Sequence, residues 1–122
     1  MADPRPGCTE AELADAGKSL GATLPDGVHA MLLESDGRYR DDGDWWVVWP
    51  VDRLVRENTD AWASGRLPES LLMVGDDGTG NPFCVPRNGR DEVVRWSWID
   101  GGVERSEGTL EAFLTEWIGS GS

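Results

Sequence analysis

Leu71-Leu72-Met73-Val74-Gly75-Asp76-Asp77-Gly78-Thr79-Gly80-Asn81, followed by Pro82-Phe83-Cys84-Val85-Pro86, is the stretch on which the fold turns. The apolar run 71–74 reads as a strand buried on both faces. Asp77-Gly78 reads as a hairpin turn, because both residue types accept the positive φ of a type I′ turn. Phe83-Cys84-Val85 is the return strand, cut short by Pro86. Arg87 to Arg90 make a polar turn, and Glu92 to Ile99 form the strongest strand pattern in the chain. There Val94, Trp96 and Trp98 alternate with Val93, Arg95, Ser97 and Ile99. Asp100-Gly101-Gly102 turns the chain, and Val103 to Arg105 read as a short strand pairing back. Thr109 then caps a helix whose Leu110, Phe113, Leu114, Trp117 and Ile118 share one stripe.

Working back from the hairpin, Ser64 to Pro68 are a connection, and Pro50 opens a helix through Val51, Leu54, Val55, Asn58 and Trp62. Trp45 to Trp49 are a strand by aromatic and β-branched content, and Arg38 to Asp44 read as a polar loop. Val28, Met31, Leu32 and Ser35 keep helical spacing behind Leu24-Pro25, with Gly37 as the stop. Leu13, Ala16 and Leu20 do the same behind Thr9, which with Glu12 makes a capping box, and Gly21 ends that helix. Helices at both ends and strands run together between them predict an α+β domain. Its sheet is mainly antiparallel, or mixed, with about four to six strands covered by about four helices. The expected domain spans residues 9–118, between a loose arm (1–8) and a flexible tail (119–122).

The 122 residues suit one domain. No apolar run approaches the ~18–20 residues of a membrane span. Residues 1–7 lack the apolar core of a signal peptide. Cys8 and Cys84 form no metal or redox motif. The expectation is therefore a cytoplasmic protein with reduced thiols.

Charge is the dominant compositional feature: 23 acids against 11 bases give −12 and a pI near 4.3. Phosphate binding draws its affinity from Lys and Arg displacing counterions, and here Lys18 is the only lysine. Nucleic acid and anionic lipid are therefore not expected partners. Acidity serves solubility, or it steers a basic protein partner.

The candidate chemical sites each read more simply as structure. Gly75 to Asn81 lack the Gly-Lys-Ser/Thr of a phosphate loop. An EF-hand started at Asp76 or Asp77 would meet Arg87 or Asn88 where it needs Glu. His29, the only histidine, has no nucleophile signature beside it. No cofactor, no metal and no catalytic residue are expected. Trp45 and Trp46 must point to opposite sides of their strand. Two readings stay open: a Trp-rich core with half-exposed rings, or an exposed ring beside Asp41, Asp42 and Asp44 that anchors a basic partner.

The order of these motifs resembles the SUKH superfamily, the Smi/Knr-like domains, over roughly residues 9–118. The resemblance rests on Leu24-Pro25 with Met31-Leu32-Leu33, Asp36-Gly37, Trp49-Pro50 and Glu57-Asn58. It continues through the Gly75-to-Asn81 hairpin, Trp96 to Ile99, and Thr109 to Leu114 before Trp117. Pro82 and Pro86 around the return strand depart from the family pattern. The resemblance implies an α+β fold without catalytic residues. It also implies either an immunity protein that neutralises a nuclease- or deaminase-type toxin, or a regulatory scaffold.

The expected function is thus non-enzymatic protein binding, with a cognate toxin of basic surface as partner and the chain itself a monomer rather than a homodimer. Asp41, Asp42, Asp44, Trp45, Asp76 and Asp77 are the expected contact residues. A scaffold role toward a housekeeping protein is the alternative, and a hydrolase using His29 and a carboxylate is the enzymatic rival.

Overall fold

Thr9 caps the first helix as its sequence foretells. Its hydroxyl accepts from the Glu12 N–H at 3.1 Å, and Glu12 accepts from the Thr9 N–H at 2.9 Å. The helix, α1 (Glu10–Leu20), stops at Gly21, whose φ of 78° is the left-handed conformation that ends helices. The structure, a computed structural model, describes residues 6–21, 24–40 and 45–118. The further elements are α2 (Asp26–Glu34), β1 (Arg38–Arg40), β2 (Trp45–Val48), α3 (Val51–Ala63), β3 (Leu71–Asp76), β4 (Pro82–Pro86), β5 (Val93–Ser97), β6 (Gly102–Gly108) and α4 (Leu110–Ile118).

The result is an α+β domain with four helices, a four-stranded sheet in the order β3-β4-β5-β6, and a separate β1-β2 hairpin. Every strand pairing is antiparallel. Pro82 and Pro86 do not disrupt β4, because they sit at its two ends, opposite Asp76 and Leu71. Between them Phe83 and Cys84 pair with Arg95 and Val94 of β5.

Three local readings need correction. Arg38 to Arg40, read as loop, form β1. This strand exists through its partner: it pairs with Trp45 to Val48, and Tyr39 meets Trp46 edge-on with centroids 5.1 Å apart. The β3–β4 connection is not a two-residue turn, since Asp76 pairs with Pro82 and the loop runs from Asp77 to Asn81, closed by the Asp77 N–H on Asn81 O at 3.1 Å. The last strand is longer than Val103–Arg105, extending from Gly102 to Gly108.

The core gathers from the four helices and from β2 to β5. Leu13, Leu20, Val28, Leu32, Leu54, Leu72, Val74, Phe83, Val93 and Phe113 are all buried. Phe113 and Trp117 of α4 meet Phe83 edge-on at 4.6 and 4.9 Å, which seats that helix on the sheet. Helix α3 follows Pro50 and lacks a side-chain cap of its own, so its Val51 N–H donates instead to Asp36 Oδ1 at 2.7 Å.

The hairpin docks on the edge of β3. The Trp49 N–H donates to Val74 O at 2.9 Å. Gly75 permits the approach: a Cβ there would stand 1.7 Å from Val47 O. The bulge in β3 between Met73 and Gly75 falls at the same point.

Candidate functional site

The five residues from Asp77 to Asn81 lie between two tryptophans. On one side is Trp45 of β2, half-buried, whose Nε1 donates to Asp76 O at 2.9 Å. Its ring lies against Gly78, where a Cβ would come within 3.1 Å of ring carbons. On the other side Trp98 donates from Nε1 to Gly80 O at 3.0 Å. Asp76 and Asp77 bracket the start of this loop, so the structure brings together Trp45, Asp76 and Asp77 of the expected contact residues. Asp41, Asp42 and Asp44 lie outside the described residues.

Both aspartates at the loop are engaged by the protein itself. Asp76 Oδ2 accepts from Trp49 Nε1 at 3.1 Å and faces Arg53 at 3.8 Å. Its Oδ1 accepts from the Gly78 N–H at 2.8 Å. Asp77 is more enclosed, with a side chain 4% exposed. Its Oδ1 accepts from the Thr79 N–H and hydroxyl at 2.8 and 2.6 Å, and its Oδ2 from Arg95 at 3.2 Å. Burial pushes the Asp77 carboxyl up, but the Thr79 hydrogen bonds and the Arg95 guanidinium outweigh it and hold the group below the usual carboxylate range.

Arg95 ties this loop to the far strand. It donates to Glu107 Oε2 at 2.9 and 3.2 Å as well as to Asp77. Burial would lower its pKa, but the hydrogen bonds and charges of Glu107 and Asp77 raise it instead. Glu107, 1% exposed, also accepts from Trp117 Nε1 at 3.1 Å and meets Arg105 at 3.3 Å. Arg95 thus links β3–β4, β6 and α4. Its partners are separated in sequence by up to thirty residues, and no local motif announces them. The Asp77-x-Thr79 spacing is the one readable signal, since aspartate commonly bonds to backbone two residues on.

Of the enzymatic candidates, His29 pairs with a carboxylate. His29 Nε2 meets Glu10 Oε1 at 2.7 Å on the rim of a cleft of about 610 Å³. The described residues lining it include no serine, threonine or cysteine. Burial pushes the Cys84 thiol far above its ordinary range, so it stays an unreactive thiol. Cys8 is buried as well. Among the described residues no group of His, Cys, Asp and Glu is arranged to hold a metal ion. None of the described helices is long and apolar enough to cross a membrane.

A family model described as SMI1 / KNR4 family (SUKH-1) matches residues 7–116. The chain belongs to this family. The SUKH-1 match therefore spans every described element from α1 through most of α4, the glycine loop included. A crystal structure of a protein from Pseudomonas syringae pv. tomato has the same fold, with a TM-score of 0.71 and 22% identity, covering 98% of this chain and 89% of that one. At that identity the likeness concerns the fold alone. No curated protein matches the chain. SUKH-1 membership accords with protein binding.

Proposed function

We propose that this SUKH-1 chain is a non-enzymatic immunity protein that binds and neutralises a cognate toxin of nuclease or deaminase type through an acidic surface. The observation that carries the reading is the net charge of −12 on a member of this family. A nuclease must present a basic surface to phosphate, and an acidic inhibitor occupies that surface with fast, salt-sensitive association. In this reading Asp41, Asp42 and Asp44 meet the basic partner together with the open part of Trp45. Asp76 and Asp77 contribute from beneath, by fixing the loop on which Trp45 rests.

The test is co-expression with the open reading frames adjacent to the gene. The expected result is a toxic neighbour whose growth defect this chain rescues and with which it co-elutes on size exclusion. If no neighbour is toxic and none co-elutes, the immunity reading fails and a scaffold role takes its place.

A further inference from the structure

The two edges of the four-stranded sheet are finished differently. The β3 edge is capped along its length. Trp62 Nε1 donates to Leu71 O at 3.0 Å, Asn58 bonds both backbone groups of Met73, the Trp49 N–H reaches Val74 O, and Trp45 Nε1 reaches Asp76 O. The β6 edge carries no such covering: among the described residues only β5 pairs with it. Val103 to Ser106 are all exposed. A bare strand edge is a template for a further strand.

The turn that leads into β6 adds an apolar anchor. Ile99 is 95% exposed and Val103 is 55% exposed. An aliphatic side chain so open to water contributes almost nothing to folding through burial. Asp100 and Glu104 adjoin them in the chain, so the apolar pair is set among carboxylates. Arg105 is turned toward Glu107 at 3.3 Å, which occupies the one cation of the strand. Trp98 beside Ile99 binds Gly80 O. The strip is therefore continuous with the loop against which Trp45 packs.

We propose that the outer edge of β6 from Val103 to Ser106, with Ile99 on the preceding turn, is the docking strip for an extended segment of a basic protein partner. The segment adds as a fifth strand, places an apolar residue on Ile99 and Val103, and sets Lys or Arg against Asp100 and Glu104. A second copy is a poor occupant, because two chains of −12 would bring these same carboxylates together. The proposal shares with the function proposed above only the premise that the partner is a basic protein.

The experiment needs no toxin. A phage-displayed library of short random peptides is panned on the intact immobilised chain, and the enriched peptides are synthesised. The expected peptides interleave apolar with basic residues and slow amide exchange across residues 102–108. They lose about tenfold or more in affinity, ~1.4 kcal/mol, for the Ile99→Asp/Val103→Asp double variant. Near-UV dichroism of the tryptophans verifies that the variant is folded, and His29→Ala serves as the unaffected control. The proposal is overturned if no peptide is enriched, if enriched peptides bind the double variant as tightly, or if protection falls on other elements. Self-association of the free chain with protected β6 amides also overturns it, and assigns the strip to a second copy. Growth rescue decides the toxin reading independently of all these outcomes.

Discussion

Asn58 of α3 does the work of a missing neighbour strand for Met73 of β3. Its Nδ2 donates to Met73 O at 2.8 Å, and its Oδ1 accepts from the Met73 N–H at 2.7 Å. The side chain is fully buried and also bonds Leu54 O at 2.8 Å. Asn58→Leu would keep the branched shape and remove every one of these bonds. Each backbone group left buried and unpaired costs about 1–3 kcal/mol, so we expect a loss of roughly 3 kcal/mol in urea denaturation. The Met73 amide should also exchange faster in the native state. A variant as stable as the native chain would mean that water replaces the amide.

Gly75 and Gly80 separate steric from conformational reasons for a glycine. Gly75 has no positive φ, yet its hypothetical Cβ lies 1.7 Å from Val47 O. Gly80 has a φ of 103° and nothing within 4 Å. Gly80→Ala should therefore cost only the left-handed strain, about 1–2 kcal/mol. Gly75→Ala must push β2 off β3, which breaks the Trp49–Val74 bond and opens buried Val47 and Val48. We expect it to fail to fold or to lose more than ~3 kcal/mol. Thermal melts of the two variants side by side give the comparison, and equal losses would refute the close approach.

The Asp77–Arg95–Glu107 cluster predicts a particular acid sensitivity. The folded-state pKa of Asp77 is held below its unfolded value of about 3.9. Its contribution is therefore complete above that unfolded value and is lost as pH falls through the folded one. Asp77→Asn should be less stable than the native chain at neutral pH, and the gap should narrow steadily below about pH 4. Arg95→Met leaves buried Asp77 without its cation and Glu107 with only the more exposed Arg105, and a cost of about 3 kcal/mol at neutral pH is expected. Stability measured against pH for all three proteins checks the sign. A gap that widens in acid would contradict it.

Where the sequence was legible, local chemistry decided the structure. Thr9 with Glu12, Gly21, Pro25 and the α4 stripe each specify a helix end or face within a few residues. The strand cores 71–74 and 83–85 are legible because burial on both faces leaves continuous apolar runs, and 93–97 is legible from its alternating Val and Trp. The misread segments depend on distant partners. Arg38-Tyr39-Arg40 is too short for its alternation to stand out from a polar loop, and it is a strand because β2 lies opposite. Glu104 to Glu107 carry no apolar pattern because β6 is an exposed edge. Asp77 spends its side chain on Thr79 and Arg95, which opens the expected two-residue turn into a five-residue loop. The tryptophans divide in the same way. Their number suggested either a core or an anchor, yet Trp45, Trp62 and Trp98 use their indole N–H groups to bind carbonyls of β3 and its loop. Such a use depends on the tertiary fold and leaves no trace in local spacing.

The acidic segment before Trp45 and the ring itself should affect binding in different ways. In the function proposed above, Asp41, Asp42 and Asp44 steer the partner before contact, so their joint replacement by Asn should slow association with the proposed toxin by roughly tenfold at low ionic strength, with dissociation little changed. The effect should shrink near 0.15 M salt, where the Debye length falls to about 8 Å. In the same reading Trp45 acts by contact. Trp45→Phe keeps the ring against Gly78 but deletes the bond to Asp76 O, so it should leave the salt dependence intact and raise the dissociation rate. Stopped-flow association and dissociation at two salt concentrations distinguish the two roles. If the three Asn substitutions changed dissociation and left the salt slope untouched, the segment would be a contact surface and not a steering one, and the charge argument for the partner would lose its support.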